Sequence, residues 1–208
     1  MIVGIRWVFF DLGSTLLDES GAIHRRVRET TEGSDVTYQL FRDAMLEAFC
    51  KNRDGYREAL ERFGLQKMPW HSEEERIYPG MKDLLERLRG QYSLGVIANQ
   101  VPGVEERLRD FGISEYFELV LASAEVGLSK PDPRMFQLAL DRAGCRAEQA
   151  AMVGDRLDND ILPARALGMK TVWVRQGDWK YALPRSPEET PDFIVEDLKE
   201  LDVILKQL

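Results

Sequence analysis

The chain has 208 residues and a formal net charge of −8 at pH 7, with 44% hydrophobic and 31% charged residues. That balance excludes a disordered polymer, and the acidic surplus excludes the basic footprint of a nucleic-acid or anionic-membrane binder. The length fits one domain with an insert at roughly 150 residues per domain, and no apolar run reaches the ~18–20 residues that span a bilayer.

The apolar stretch from Ile2 to Phe10 carries Arg6 and lacks a small-residue cleavage site, so it reads as a strand and not as a secretory signal. Its β-branched and aromatic run, Ile5 to Asp11, ends in an acid and is broken by Gly13-Ser14-Thr15. From Asp18 to Ile77 charged residues dominate and apolar residues recur at helical spacing (Leu40, Phe41, Ala44, Met45, Ala48, Phe49), with breaks near Gly33-Ser34 and Gly64. After Tyr78-Pro79-Gly80, helices alternate with short strands. Strands are expected at Ser93–Ala98, Glu118–Ala122, Ala150–Gly154, Lys170–Val174 and Phe193–Val195. Helices are expected at Val104–Phe111, Pro133–Ala143, Asp160–Leu167 and Leu198–Leu205, three of them followed by Gly112, Gly144 and Gly168. This alternation predicts an α/β fold, a Rossmann-like parallel sheet with helices on both faces, in residues 1–17 and 78–208, with a helical insert over 18–77. Two cysteines, Cys50 and Cys145, stand far apart, which excludes a disulfide scaffold or a cysteine zinc site and suits a reducing, cytoplasmic setting.

In parallel sheets ligands bind beyond the carboxyl ends of the strands. Asp11, Asn99 and Asp155 follow three strands, and Lys130 lies in Ser-Lys-Pro-Asp-Pro, expected between a helix and a strand. Two carboxylates brought close repel unless a cation sits between them. Hard Mg²⁺ accepts carboxylates, carbonyls and phosphate oxygens, and a lysine ammonium neutralises a carboxylate or a phosphate oxygen.

Five segments in this order, Phe-Phe-Asp11-Leu-Gly-Ser-Thr15, Tyr78-Pro-Gly80, Val-Ile-Ala98-Asn99, Lys130-Pro-Asp-Pro133 and Val-Gly154-Asp155-Arg-Leu-Asp158-Asn159-Asp160, resemble the haloacid dehalogenase-like hydrolase superfamily along nearly the whole chain. The resemblance implies a helical cap after the first strand and Mg²⁺-dependent phosphatase chemistry on a small phosphorylated metabolite through an aspartyl-phosphate. It makes Asp11 the nucleophile and, with the Gly13 carbonyl, Asp155 and Asp160, a metal ligand. Lys130 is implied to hold the nucleophile and the transferring phosphoryl group. Ser14, Thr15 and Asn99 are implied near the phosphate.

Three positions depart from the family pattern: Ser14 stands where a Gly is usual, and two others bear on the chemistry. Gly13 stands where an Asp usually protonates the leaving group and later activates water, and Ala98 stands where a hydroxyl usually binds phosphate. A missing general acid costs ~10²–10⁴ in rate, and a missing hydrogen bond to a charged group about 1.5–3 kcal/mol. Slow turnover is therefore expected, biased toward leaving groups that need no proton, unless a cap histidine (His24 or His71) or Asp18 replaces the acid. The alternatives are a degenerate protein that binds a phosphorylated ligand or a partner without turnover, and a phosphonatase-like C–P hydrolase using a cap lysine, Lys51 or Lys67.

Overall fold

The computed structural model describes residues 4–208; Ile2 and Val3 of the N-terminal apolar stretch lie outside them. In chain order the elements are β1 (Trp7–Phe10), β2 (Leu17–Asp18), α1 (Ser20–Thr31), α2 (Tyr38–Cys50), α3 (Gly55–Phe63), β3 (Arg76–Ile77), α4 (Met81–Arg89), β4 (Ser93–Ala98), α5 (Val104–Asp110), β5 (Leu119–Ala122), α6 (Ser123–Val126), α7 (Pro133–Ala143), β6 (Ala150–Gly154), α8 (Leu162–Ala166), β7 (Lys170–Val174), β8 (Phe193–Val195) and α9 (Leu201–Leu205).

Six strands form one parallel sheet in the order β5-β4-β1-β6-β7-β8. The sheet is buried on both faces, and β1 shows why. Its side chains alternate, so Val8 and Phe10 pack with Leu84, Leu85 and Leu88 of α4, while Trp7 and Phe9 pack with Met135, Phe136 and Leu140 of α7. All four β1 residues are buried, as a central parallel strand requires. The chain moves outward from β1 through β4 and β5, then crosses back to β6, β7 and β8. The strand order therefore reverses beside β1, and the crevice beyond the carboxyl ends of β1 and β6 is the usual ligand position of such sheets.

The insert forms three helices with their own apolar cluster, built from Val27, Phe41, Ala44, Met45, Phe49 and Ala59. Thr37 caps α2 by accepting from the Leu40 amide, Asp54 caps α3 by accepting from the Arg57 amide, and Gly64 closes α3 in the left-handed region. The insert is not wholly helical. Its entering and leaving strands pair antiparallel, Leu17 with Ile77 and Asp18 with Arg76, so β2 and β3 make a two-stranded neck. Arg42 of α2 joins Asp178, in the turn after β7, through a bidentate ion pair of 2.6 and 2.7 Å.

Three expectations need correction. Lys130 does not precede a strand; it lies between α6 and α7, whose start Asp132 and Pro133 fix. The helix expected over Asp160–Leu167 starts instead with a π-type turn, Leu157–Ile161, in which the Arg156 carbonyl accepts from both the Asp160 and Ile161 amides, and α8 follows only from Leu162. The final helix is shorter than expected, a 3₁₀ turn at Leu198–Glu200 leading into α9.

Candidate active site

Neighbouring parallel strands carry the two key acids to one place. Phe10 registers with Val153, and the Asp11 amide donates to the Val153 carbonyl at 2.9 Å, so the tips of β1 and β6 lie side by side. Asp155 follows β6 directly. Asp160 returns from the π-type turn, its Oδ2 accepting from the Arg156 amide at 3.0 Å. That return needs glycine at residue 154: a Cβ built there meets Asp160 Oδ2 at 2.4 Å. Asp11, Asp155 and Asp160 each offer a carboxylate oxygen, all within 4.8 Å of one another.

Lys130 bridges two members of this triangle, with Nζ 2.5 Å from Asp11 Oδ1 and 2.6 Å from Asp160 Oδ1. Burial alone would pull the ammonium pKa down, but the two carboxylates outweigh it and the pKa rises above the usual lysine value. Burial, then repulsion from Asp11 and Asp160, raises Asp155 well above the carboxylate range. Burial, only partly offset by Lys130, lifts Asp160 to about 6. One ammonium is too little charge for three crowded carboxylates. The oxygen-rich donor set and its unbalanced charge therefore fit a hard divalent cation.

The remaining sequence candidates fall around this centre. Thr15 Oγ1 donates to Asp155 Oδ1 at 3.5 Å. Asn99 spends its amide on the backbone of Lys130: Nδ2 donates to the Lys130 carbonyl and Oδ1 accepts from the Lys130 amide, each at 2.8 Å. Ser14, held at φ 54°, donates its hydroxyl to Glu19 Oε2 at 2.9 Å. Gly13 lines the same cavity of about 190 Å³ as the three aspartates and Lys130. Ala98 ends β4 fully buried.

Sequence reading gave no role to Glu19 or Arg156. Glu19, just before α1, lines the cavity too; burial pushes its carboxyl up to about 7, Ser14 pulling it back and Asp11 adding to the rise. Arg156 stacks on Trp179 at 4.0 Å and pairs with Asp158, and both Arg156 and Trp179 line a second cavity of about 270 Å³ between the insert helices and the loops that follow the sheet strands. Arg26, Tyr56 and Trp70 face it from the insert. The only sequence signal for Glu19 was an acid shortly after a glycine that lacks its usual side chain. The insert lysines do not reach the centre: Lys51 is exposed and paired with Glu47 at 2.9 Å, and Lys67 is exposed.

Comparison with known proteins agrees with this fold. The family model for haloacid dehalogenase-like hydrolases matches residues 8–174. A phosphoserine phosphatase of Thermus thermophilus is 42% identical over 60% of this chain, which spans about half (49%) of that relative's length. A glyceraldehyde 3-phosphate phosphatase of Pyrococcus furiosus is 30% identical over 98% of this chain and 94% of its own. The crystal structure of a HAD phosphatase from Thermococcus onnurineus superimposes with a TM-score of 0.67 at 25% identity, covering 97% of this chain and 98% of the other. With 167 consecutive residues matched by one family model, strand tips and acidic triangle included, the chain belongs to the haloacid dehalogenase-like hydrolases.

Proposed function

We propose that the protein is a metal-assisted phosphatase that removes the phosphoryl group from a small metabolite through a phospho-Asp11 intermediate. The observation that carries this reading is the Lys130 bridge: a buried ammonium within 2.6 Å of two carboxylates at the switch point of the sheet. Asp11 is the nucleophile. Lys130 holds its carboxylate in place and neutralises charge gathering on the phosphoryl oxygens. Asn99 acts through Lys130, gripping that residue's backbone at both ends. Thr15 orients Asp155.

Mg²⁺ is the proposed ion, held by Asp11, Asp155, Asp160 and the Gly13 carbonyl; when bound, it supplies electrostatic stabilisation to a phosphoryl oxygen. The cap over residues 18–77 covers the centre and selects the substrate. The adjoining cavity of about 270 Å³ lies at the low end for ligand pockets, which suits a substrate of a few carbons. Arg26 and Arg156, each stacked on an aromatic ring, line it together with the acids Glu19, Asp54 and Asp178. The relatives named above act on phosphoserine and glyceraldehyde 3-phosphate, both of that size class.

The test is release of phosphate from p-nitrophenyl phosphate and acetyl phosphate in the presence of Mg²⁺. Wild-type protein is expected to turn both over, and Asp11→Asn to lose at least about 10³-fold. Equal rates in the two proteins reject the reading. Ala98, which offers no hydroxyl, favours one rival: a protein that binds phosphate esters without turnover, in which case calorimetry shows binding and no product appears.

A further inference from the structure

Gly13 has no side chain where chemistry on the leaving group needs a proton donor, and another residue fills that volume. A Cβ built on Gly13 lies 2.4 Å from Glu19 Oε1, 2.8 Å from Glu19 Cδ and 2.9 Å from Glu19 Oε2. The turn explains the placement. The Leu12 carbonyl accepts from the amides of both Leu16 and Leu17, and Gly13 bridges to Leu17, so the chain doubles back and brings residue 19 over residue 13. Ser14 fixes Oε2 at 2.9 Å, while Oε1 has no hydrogen-bond partner among the described residues. Glu19 lines the same cavity as Asp11, Lys130 and Asp155.

The other candidates are engaged elsewhere. Asp18 Oδ1 accepts from the Ser20 amide at 2.9 Å. His24 pairs with Tyr38 through Nδ1, and His71 lies between Glu29 and Glu73.

We propose that Glu19 is the acid–base catalytic residue of this protein, reaching from the start of α1 into the space left by Gly13. This rests on the phosphatase reading. In the first step an Asp11 oxygen bonds to phosphorus, the bond from phosphorus to the leaving oxygen breaks, and the Glu19 carboxyl proton passes to that oxygen. In the second, water bonds to phosphorus, its proton passes to the Glu19 carboxylate, and the bond from phosphorus to Asp11 breaks, releasing phosphate. Glu19 ends protonated, ready for the next ester.

The same geometry makes residues 13 and 19 alternatives. An aspartate at position 13 competes with the flexible end of Glu19 for one volume, and Gly13→Asp combined with Glu19→Ala places an acid there without that competition.

The test is transient kinetics on Glu19→Gln, which keeps the shape, with p-nitrophenyl phosphate and an alkyl phosphate in parallel. With the nitrophenyl ester, whose phenolate leaves unprotonated, the variant is expected to release a stoichiometric burst of nitrophenolate and then stall. With the alkyl ester, it shows no burst, and kcat falls by about 10²–10⁴. The Gly13→Asp/Glu19→Ala double variant recovers at least tenfold over Glu19→Ala. Wild-type steady-state rates in Glu19→Gln on both esters, or equal losses on both without a burst, overturn the assignment and leave the phosphatase reading standing. Absence of any Asp11-dependent hydrolysis in the wild type overturns both.

Discussion

Lys130 is the residue on which the charge balance turns. Its side chain is 2% exposed and its ammonium lies between Asp11 and Asp160. Lys130→Met leaves crowded buried carboxylates without their cation, so kcat is expected to drop about 10²–10³-fold and the melting temperature to fall. Lys130→Arg is expected to rescue little, because a planar fork needs room that this buried site lacks. Steady-state kinetics and a thermal melt on both variants check this. Asp11 and Asp155 were legible in the sequence because each follows a strand, and Lys130 because it lies in a recurring Lys-Pro-Asp-Pro segment. Glu19 was not legible. Its place depends on a turn closed by two amides on one carbonyl, and no local spacing encodes which later side chain that turn returns to the strand tip.

Among the elements, strands were easier to read than helix starts. Trp7–Phe10 and Ala150–Gly154 are continuous apolar runs, and burial on both faces demands that pattern. A helix was expected to open at Asp160, where the helix dipole favours an acid, but a wider turn spans Leu157–Ile161 first. The wider turn arises because Asp160 must face back to the triangle, which helical spacing does not encode. The neck of β2 and β3 was hidden because each strand is only two residues long.

The insert contains a histidine–carboxylate clamp whose pH dependence can be checked separately. His71 Nε2 lies 2.6 Å from Glu29 of α1, and that hydrogen bond, with a second donated by Nδ1 to Glu73, raises the histidine pKa. A histidine raised on folding contributes stability in full below its unfolded value, ~6.5, and loses it as pH rises past the folded value. The gap in melting temperature between wild type and His71→Ala is therefore expected to be wider at about pH 6 than at about pH 9. A gap that widens with pH contradicts the pairing.

At the scale of the molecule, three helices are held over a parallel sheet by the β2–β3 neck and the Arg42–Asp178 pair, with the acidic triangle beneath them. No described helix is long and apolar enough to cross a membrane. The strand order that reverses beside β1 sets Asp11 and Asp155 on adjacent tips, and the excess of carboxylate over ammonium there fits a further cation. A cation that binds only the folded chain stabilises it by about 2.7 kcal/mol at a hundred times its dissociation constant. The most direct measurement is the melting temperature across a Mg²⁺ titration, in wild type and in the nearly isosteric Asp155→Asn. A saturable rise in the wild type that disappears in Asp155→Asn is the expected result; no rise in the wild type, or the same rise in both proteins, contradicts a metal site at the tips of β1 and β6.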